Sequence, residues 1–113
     1  MRAIFVELPA FQRYRHEYLD DAAFRRLQIE LLQNPEAGDV IQGTGGLRKA
    51  RFPDEILSKG KRGGLRLIYY WWIEGTQFWM FTLYDKSEQV DLSTVQKKML
   101  KTRLETEISS RRG

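Results

Sequence analysis

The chain has no cysteine and only one histidine, His16, among its 113 residues. Without cysteine it forms no disulfide and offers no thiolate as a nucleophile or metal ligand. A single imidazole excludes any site that needs two. No serine stands near His16 in the helix predicted around it, so a Ser–His nucleophilic pair is not expected either. These absences favour a protein that uses neither a metal nor a cofactor.

Long hydrophobic runs are also missing. No apolar stretch approaches the ~20 residues that a membrane-spanning helix needs. The opening MRAIFVELPAF is interrupted at Glu7 and Pro9, which is too early for the apolar core of a secretory signal. We therefore expect a cytoplasmic protein without a membrane partner. A composition with 42% hydrophobic residues is typical of a folded chain, and 113 residues favour one domain, 1–113.

Positive charge is concentrated in one segment. The net charge is only +4, yet seven basic residues stand between positions 48 and 66, opposed by Asp54 and Glu55: Arg48, Lys49, Arg51, Lys59, Lys61, Arg62 and Arg66. Such a block favours an anionic partner more than an even excess of charge would. Charge alone is equally compatible with a solvated loop.

The first third of the chain predicts one strand and two helices. Residues 3–6 are β-branched or aromatic and favour a strand. Pro9 suits the first turn of a helix, which we expect to cover about residues 9–19 with Phe11, Tyr14 and Tyr18 on one face. Asp20 or Asp21 can cap a second helix, buried through Phe24, Leu27 and Leu31, which Asn34-Pro35 ends.

The rest of the chain predicts three strands and a last helix. Residues 35–46 read as a glycine-rich loop, 47–52 as a strand and 53–64 as a charged loop. Two apolar strands, 65–73 and 78–84, are joined by a hairpin turn at 74–77. A capping box of Ser93 and Gln96 starts a helix to about residue 108, with Val95, Met99, Leu104 and Ile108 on its apolar face. We expect the tail 109–113 to fray.

This order predicts an α+β fold: strand–helix–helix, then a three-stranded antiparallel meander and a C-terminal helix. The sheet is expected to have about four strands, with the helices mostly on one face. The two apolar strands should lie at its centre, because they are apolar on both sides.

The candidate chemistry lies at the ends of the predicted strands. Lys49 and Arg51 share one side of their strand, Arg66 opens the next strand, and Tyr84 and Lys86 end the third. Converging cations around a tyrosine suit RNA, and they could also stabilise the charge of a reacting phosphate and transfer protons. The plainer alternative is that Tyr84 is a core aromatic and the cations form a solvated rim. No Walker-type loop is present, because KGKRGG precedes a strand.

Three successive segments resemble motifs of the HigB-type branch of the RelE/ParE toxin superfamily. They are GDVIQGTGGLRKARF (38–52), KGKRGGLRLIYYW (59–71) and FTLYDKSEQVDLS (81–93), in the family's order and spacing, and the opening segment 5–35 is also similar. The resemblance implies a RelE-like α+β fold with a twisted antiparallel sheet.

The resemblance further implies the toxin of a bacterial type II toxin–antitoxin module. Such a toxin is an mRNA interferase: it enters the ribosomal A site and cuts the exposed codon of mRNA by attack of a 2′-hydroxyl on the adjacent phosphate, without a metal. The implied partners are the ribosome, mRNA and a HigA-type antitoxin with a helix-turn-helix domain.

The resemblance implies that Lys49 and Arg51 correspond to the family's basic pair. Arg66 then corresponds to the arginine that opens the next strand, and Lys86 corresponds to the lysine after the last strand. Arg66 is then expected to stabilise transition-state charge, and Lys86 or Lys49 to transfer a proton. RelE itself has an arginine and a tyrosine where this chain has Ser87 and Leu92, so base stacking is assigned to Tyr84.

The other cations are expected to bind RNA or the ribosome rather than the scissile bond: Arg48, Lys59, Lys61 and Arg62. Gly63 and Gly64 are expected to let the chain turn sharply into the sheet. Two further functions remain open. One is a ParE-like poison of DNA gyrase with the same fold, and the other is an inactive RNA-binding or antitoxin-titrating relative.

Overall fold

The computed structural model describes residues 2–54 and 61–112. It confirms the α+β class and the predicted order of elements. The elements are β1 (Ile4–Glu7), α1 (Pro9–Tyr18), α2 (Asp21–Gln33), β2 (Asp39–Val40), β3 (Arg48–Asp54), β4 (Lys61–Trp72), β5 (Gln77–Asp85) and α3 (Thr94–Arg112).

The helix starts follow the predicted caps. Asp20 caps α2 by accepting a hydrogen bond from the Ala23 N–H at 2.7 Å. Ser93 and Gln96 form the expected reciprocal box, in which the Ser93 N–H donates to Gln96 Oε1 at 2.8 Å and the Gln96 N–H to Ser93 Oγ at 3.1 Å. None of the helices in the described ranges is both long and apolar enough to cross a membrane.

The described strands form one sheet in the order β1-β5-β4-β3-β2. Strands β3, β4 and β5 make the predicted antiparallel meander, with β4 and β5 at the centre. Two expectations were wrong. The sheet is mixed, because β1 is parallel to β5. It also has five strands, because Asp39 and Val40 pair with Lys49 and Arg48 inside the predicted loop. A strand of two residues is too short to show an alternating apolar pattern in the sequence, and it forms only by pairing with the neighbouring strand β3.

Both ends of the predicted loop 53–64 belong to strands. Strand β3 continues to Asp54 and β4 begins at Lys61, and these two residues pair. Gly63 and Gly64 therefore lie inside β4 rather than at a turn into the sheet. Cross-strand pairing outweighs the weak strand preference of a charged, glycine-rich sequence. Residues 55–60, which include Lys59, lie outside the described part of the chain.

The sheet is covered on both faces. Helices α1 and α2 pack on one face through residues such as Phe11, Leu27 and Leu31. Helix α3 packs on the other face, where Leu104 is 1% exposed and joins Ile68, Trp79 and Tyr84. The helices are therefore mostly, but not all, on one face. Neighbouring residues of β4 and β5 point to opposite cores, which explains why both strands carry apolar residues on both sides.

Three predicted apolar positions proved to be exposed. Tyr14 of α1 is 37% exposed, and Val95 and Met99 of α3 are 66% and 67% exposed. The tail does not fray as expected, since α3 runs to Arg112. The Arg111 guanidinium lies 4.9 Å from the centre of the Trp79 ring and donates to Gln77 Oε1 at 3.2 Å, which fixes the helix end against the sheet.

The segment before β2 is held tightly against β3. The Tyr69 hydroxyl donates to the Pro35 carbonyl at 2.8 Å and accepts from the Gly38 N–H at 3.1 Å. A Cβ at Gly38 would lie 2.8 Å from the backbone carbon of Lys49. Only glycine fits this approach, so the position of β3 depends on it.

Candidate functional site

A row of three polar side chains crosses the sheet on the face that α3 covers. Arg51 of β3 pairs with Arg66 of β4, and Arg66 pairs with Tyr84 of β5. Residues opposite each other on neighbouring strands point to the same face, so the register brings these three side chains together. The sequence predicted that they share one face and one end of the sheet.

Lys49 lies in the next row on the same face, opposite Ile68. Its ammonium is 3.3 Å from the Asp91 carboxylate in the segment between β5 and α3. Asp39, its partner in β2, is exposed at the sheet edge. Lys49 is thus a half-buried cation positioned beside the arginine row by an exposed acid.

The two arginines of the row differ in burial. Arg51 is exposed, whereas Arg66 is only 6% exposed, although arginine is rarely so buried. A charge held away from water acts on a bound anion through a lower effective dielectric constant than a solvated charge does. Arg66 is therefore the cation of the row best placed to stabilise charge on a phosphate that reaches it.

Tyr84 is 7% exposed and belongs to the core cluster under α3. Its hydroxyl has no hydrogen-bond partner within the described residues. Burial raises the pKa of Tyr84 above 10.0; the Asp91 charge raises it further and the Arg66 charge lowers it. The hydroxyl therefore stays protonated at neutral pH and can donate a hydrogen bond. The expected role of base stacking does not fit this burial, because the ring presents little free surface.

Asp91 was not singled out by the sequence, although it stands in the third motif. Its carboxylate accepts a hydrogen bond from the Leu92 N–H at 2.7 Å and pairs with Lys49. The Leu92 N–H, followed by Lys49, lowers the pKa of Asp91 below 3.8. The sequence feature that could have indicated Asp91 is its position as an acid just before a predicted helix start in a basic protein.

Lys86 lies one residue beyond the end of β5 and is exposed. Its N–H donates to the Gly64 carbonyl at 2.8 Å. The turn after it is fixed by the buried Asp85 carboxylate, which accepts from the Ser87 N–H at 2.7 Å. Lys86 therefore adjoins the end of the arginine row without being part of it.

Of the remaining predicted cations, Arg48 has a described side chain, and it lies away from the row. Arg48 points to the opposite face, where it pairs with Glu36 at 2.9 Å and donates to the Gly38 carbonyl at 2.8 Å. This arrangement gives Arg48 a structural role in holding the segment before β2. Lys61 and Arg62 open β4, a few residues before Arg66, and their side chains are outside the described part, as is Lys59.

The arrangement is suited to phosphate chemistry. Arg51 and Arg66 supply guanidinium donors, which match phosphate oxygens, with the buried Tyr84 next to Arg66 in the row. Lys49, held by the Asp91 carboxylate at 3.3 Å, supplies a further cation beside the row. Within residues 2–54 and 61–112, no group of three or more metal-ligating side chains is gathered.

The fold has a counterpart among solved structures. It matches the free state of a double arginine-to-alanine mutant of the E. coli toxin RelE, with a TM-score of 0.50, covering 80% of this chain and 90% of that chain. The fold is RelE-like. Sequence identity between the two chains is 19%, so the likeness concerns the fold. No protein-family model matches the chain.

Proposed function

We propose that the protein is the toxin of a type II toxin–antitoxin module and acts as a ribosome-dependent mRNA endoribonuclease of the HigB type. The observation that carries the proposal is the row Arg51–Arg66–Tyr84, with Lys49 beside it, on a RelE-like fold. The resemblance of three ordered motifs supports the HigB-type assignment. A gyrase poison of the same fold has no need of such a row.

In the proposed reaction the 2′-hydroxyl of the mRNA attacks the adjacent phosphorus. The O2′–P bond forms, the P–O5′ bond breaks, and the products are a 2′,3′-cyclic phosphate and a free 5′-hydroxyl. One of Lys49 and Lys86 takes the proton of the 2′-hydroxyl, and the other gives a proton to the leaving 5′ oxygen. Arg66, supported by Arg51, stabilises the charge that builds on the phosphorane oxygens.

Tyr84 does not stack on a base in this scheme, because its ring and hydroxyl are buried beside Arg66. Its raised pKa keeps the hydroxyl protonated and neutral at neutral pH. The ribosome supplies most of the substrate positioning, so the protein needs only to present the row to an exposed codon. The expected setting is the bacterial cytoplasm, and the expected inhibitor is a HigA-type antitoxin.

The test is to express the protein alone in bacteria and map transcript ends. We expect codon-phased cuts within translated mRNA, and Arg66→Ala should abolish them by removing about 3 kcal/mol or more of transition-state stabilisation. Arg25→Ala, which removes an exposed arginine of α2, is the matched control and should cut like the wild type.

Two results would contradict the proposal. Growth arrest without phased cuts, together with trapped gyrase–DNA complexes, would favour the gyrase poison instead. Toxicity that survives Arg66→Ala would favour an inactive RNA-binding or antitoxin-titrating relative. A short helix-turn-helix reading frame next to the gene would support the module and the antitoxin.

A further inference from the structure

The first half of α3 carries only positive charge. Residues 94–104, TVQKKMLKTRL, contain no Asp or Glu and four basic residues: Lys97, Lys98, Lys101 and Arg103. The second half is different, because Glu107 there lies 3.7 Å from Arg103 and 3.8 Å from Arg111. Positive charge on this helix is therefore balanced only towards its C-terminal end.

This charge pattern is unfavourable for the helix itself. The N-terminal end of a helix is partly positive and favours acids, yet the first turn of α3 has none and the capping box uses the neutral Gln96. Lys97 and Lys101 are four residues apart, a spacing at which like charges repel. In the described part of the chain, no ion pair includes Lys97, Lys98 or Lys101.

The lysines adjoin the proposed site. The Lys97 charge contributes to lowering the pKa of Asp91, whose carboxylate lies 3.3 Å from the Lys49 ammonium. Further along α3, the Lys101 side chain reaches the glycine turn, with its Cγ 3.9 Å from a Cβ built on Gly45. Lys98 and Lys101 are exposed and Lys97 is half-buried. Lys97 therefore lies near the Lys49–Asp91 pair, and Lys101 lies beside the glycine turn that precedes β3.

We propose that Lys97, Lys98 and Lys101 bind the phosphates of the RNA strand next to the nucleotide that is cut. This inference rests on the proposed function and names the part of the molecule that holds the flanking strand. An acid-free helix start and like charges four residues apart are both unfavourable for the helix, and unfavourable features of this kind are expected at functional sites. The ligand is RNA rather than a protein, because Lys97 lies near the Lys49–Asp91 pair beside the arginine row that is proposed to hold the reacting phosphate. Moreover, α3 has none of the aromatic residues that anchor protein interfaces.

The test compares two triple variants of the full chain. Lys97→Gln/Lys98→Gln/Lys101→Gln removes the proposed contacts. Arg2→Gln/Arg13→Gln/Arg25→Gln removes the same charge from exposed positions outside α3. Binding of a labelled 15-nucleotide single-stranded RNA is titrated over a range of salt concentrations. Each phosphate contact to a single strand contributes about −0.7 to the slope of log K against log salt concentration.

We expect the lysine variant to lose at least ~tenfold in affinity near 0.1 M salt and to have a slope smaller by about 2, whereas the control changes little. Unchanged slope and affinity in the lysine variant would overturn the inference. An equal loss of binding to a poly-glutamate peptide of matched charge would also overturn it, because the surface would then not select RNA. The single variants Lys97→Gln, Lys98→Gln and Lys101→Gln, each expected to reduce the slope by about 0.7, keep the test valid if the triple variant misfolds.

Cleavage mapping in cells separates this inference from the proposed function. If the wild type makes phased cuts but the lysine variant binds RNA normally, the function stands and the surface is wrongly assigned. If the wild type makes no cuts but the slope falls as expected, the surface binds RNA and the cleavage activity is wrong.

Discussion

Arg51 and Arg66 lie directly opposite each other on strands β3 and β4, with both side chains on the face that α3 covers. Like charges at opposed positions of an antiparallel pair destabilise a sheet. One of the two is also almost fully buried. The pairing thus places two like charges side by side on one face of the sheet, which is the arrangement on which the proposed phosphate site rests.

Replacing Arg51 with threonine should separate stability from activity. Removing the repulsion is expected to raise the free energy of unfolding by about 0.2–1 kcal/mol, and threonine itself favours strands. mRNA cleavage should fall at least ~tenfold, because one guanidinium of the row is lost. Urea denaturation and transcript-end mapping measure the two effects.

Arg51→Lys is the matched control for this substitution. It keeps the charge, so it should show no gain in stability. The gain in Arg51→Thr should also shrink in about 1 M salt, where the screening length is about 3 Å. A less stable Arg51→Thr protein would show that the two arginines do not repel each other in the folded chain.

The pair of Lys49 and Asp91 predicts a dependence of stability on pH. The pKa of Asp91 is lowered in the folded protein, so its charged form stabilises the fold. This contribution is complete above the unfolded value of 3.8 and is lost as the pH falls through the lower folded value. Asp91→Asn keeps an acceptor for the Leu92 N–H but removes the charge.

We therefore expect Asp91→Asn to be less stable than the wild type at neutral pH and equally stable near pH ~2. The measurement is the urea midpoint of both proteins across this range. The effect should be small, because the Asp91 side chain is 58% exposed. Glu74→Gln in the hairpin turn serves as a control. A stability difference that persists unchanged at low pH would contradict a charge effect.

Gly38 predicts a steric limit on the position of β3. In Gly38→Ala the new Cβ would lie 2.8 Å and 2.9 Å from backbone atoms of Lys49 and Ala50, which cannot move independently of the sheet. We expect a loss of about 1–3 kcal/mol in the free energy of unfolding. Cleavage should also fall, since β3 carries Lys49 and Arg51. Thermal unfolding and transcript mapping test both effects.

Gly43 provides the contrast, because replacing it would strain the backbone conformation rather than cause a steric clash. It has φ +83° with nothing within 4 Å of a built Cβ. Asparagine tolerates this left-handed backbone better than alanine does. Gly43→Asn should therefore be milder than Gly43→Ala, whereas Gly38→Asn should be at least as damaging as Gly38→Ala. The same order at both positions would contradict the steric explanation for Gly38.

The sequence was sufficient for elements that local patterns specify. The helix starts followed from Asp20 and the Ser93–Gln96 box, and the central strands from runs that are apolar on both sides. Strand β2 could not be predicted, because Asp39 and Val40 form a strand only through pairing with β3. The same reason applies to the extended hairpin that joins Asp54 to Lys61.

The site was partly predictable for a related reason. Alternation along one strand places Lys49 and Arg51 on the same side, and this is local information. The pairing of Arg51 with Arg66 depends on the register between two strands, which the sequence does not specify. Asp91 was missed because its role depends on the segment after β5 folding back over Lys49. Arg48 was grouped with the site because it is next to Lys49 in the sequence. Strand alternation, however, already places the Arg48 side chain on the other face of the sheet from Lys49.

Arg111 should stabilise the end of α3. Its guanidinium lies over Trp79, and Gln77 Oε1 accepts hydrogen bonds from both Arg111 at 3.2 Å and Trp79 Nε1 at 2.9 Å. Arg111→Ala is expected to cost about 0.5–2 kcal/mol in the free energy of unfolding. It should also change the near-ultraviolet circular dichroism of the tryptophans. Thermal unfolding gives the first quantity.

The neighbouring Arg112 is the matched control, because it is exposed and Arg112→Ala should change stability by less than about 0.5 kcal/mol. Arg111→Lys should recover part of the loss, since lysine keeps a cation over the ring but not the planar donor group. Equal effects of Arg111→Ala and Arg112→Ala would mean that the helix end is not held by the ring. In that case the N-terminal lysines of α3 would depend for their position on the capping box and on the packing of Leu100, Leu104 and Ile108.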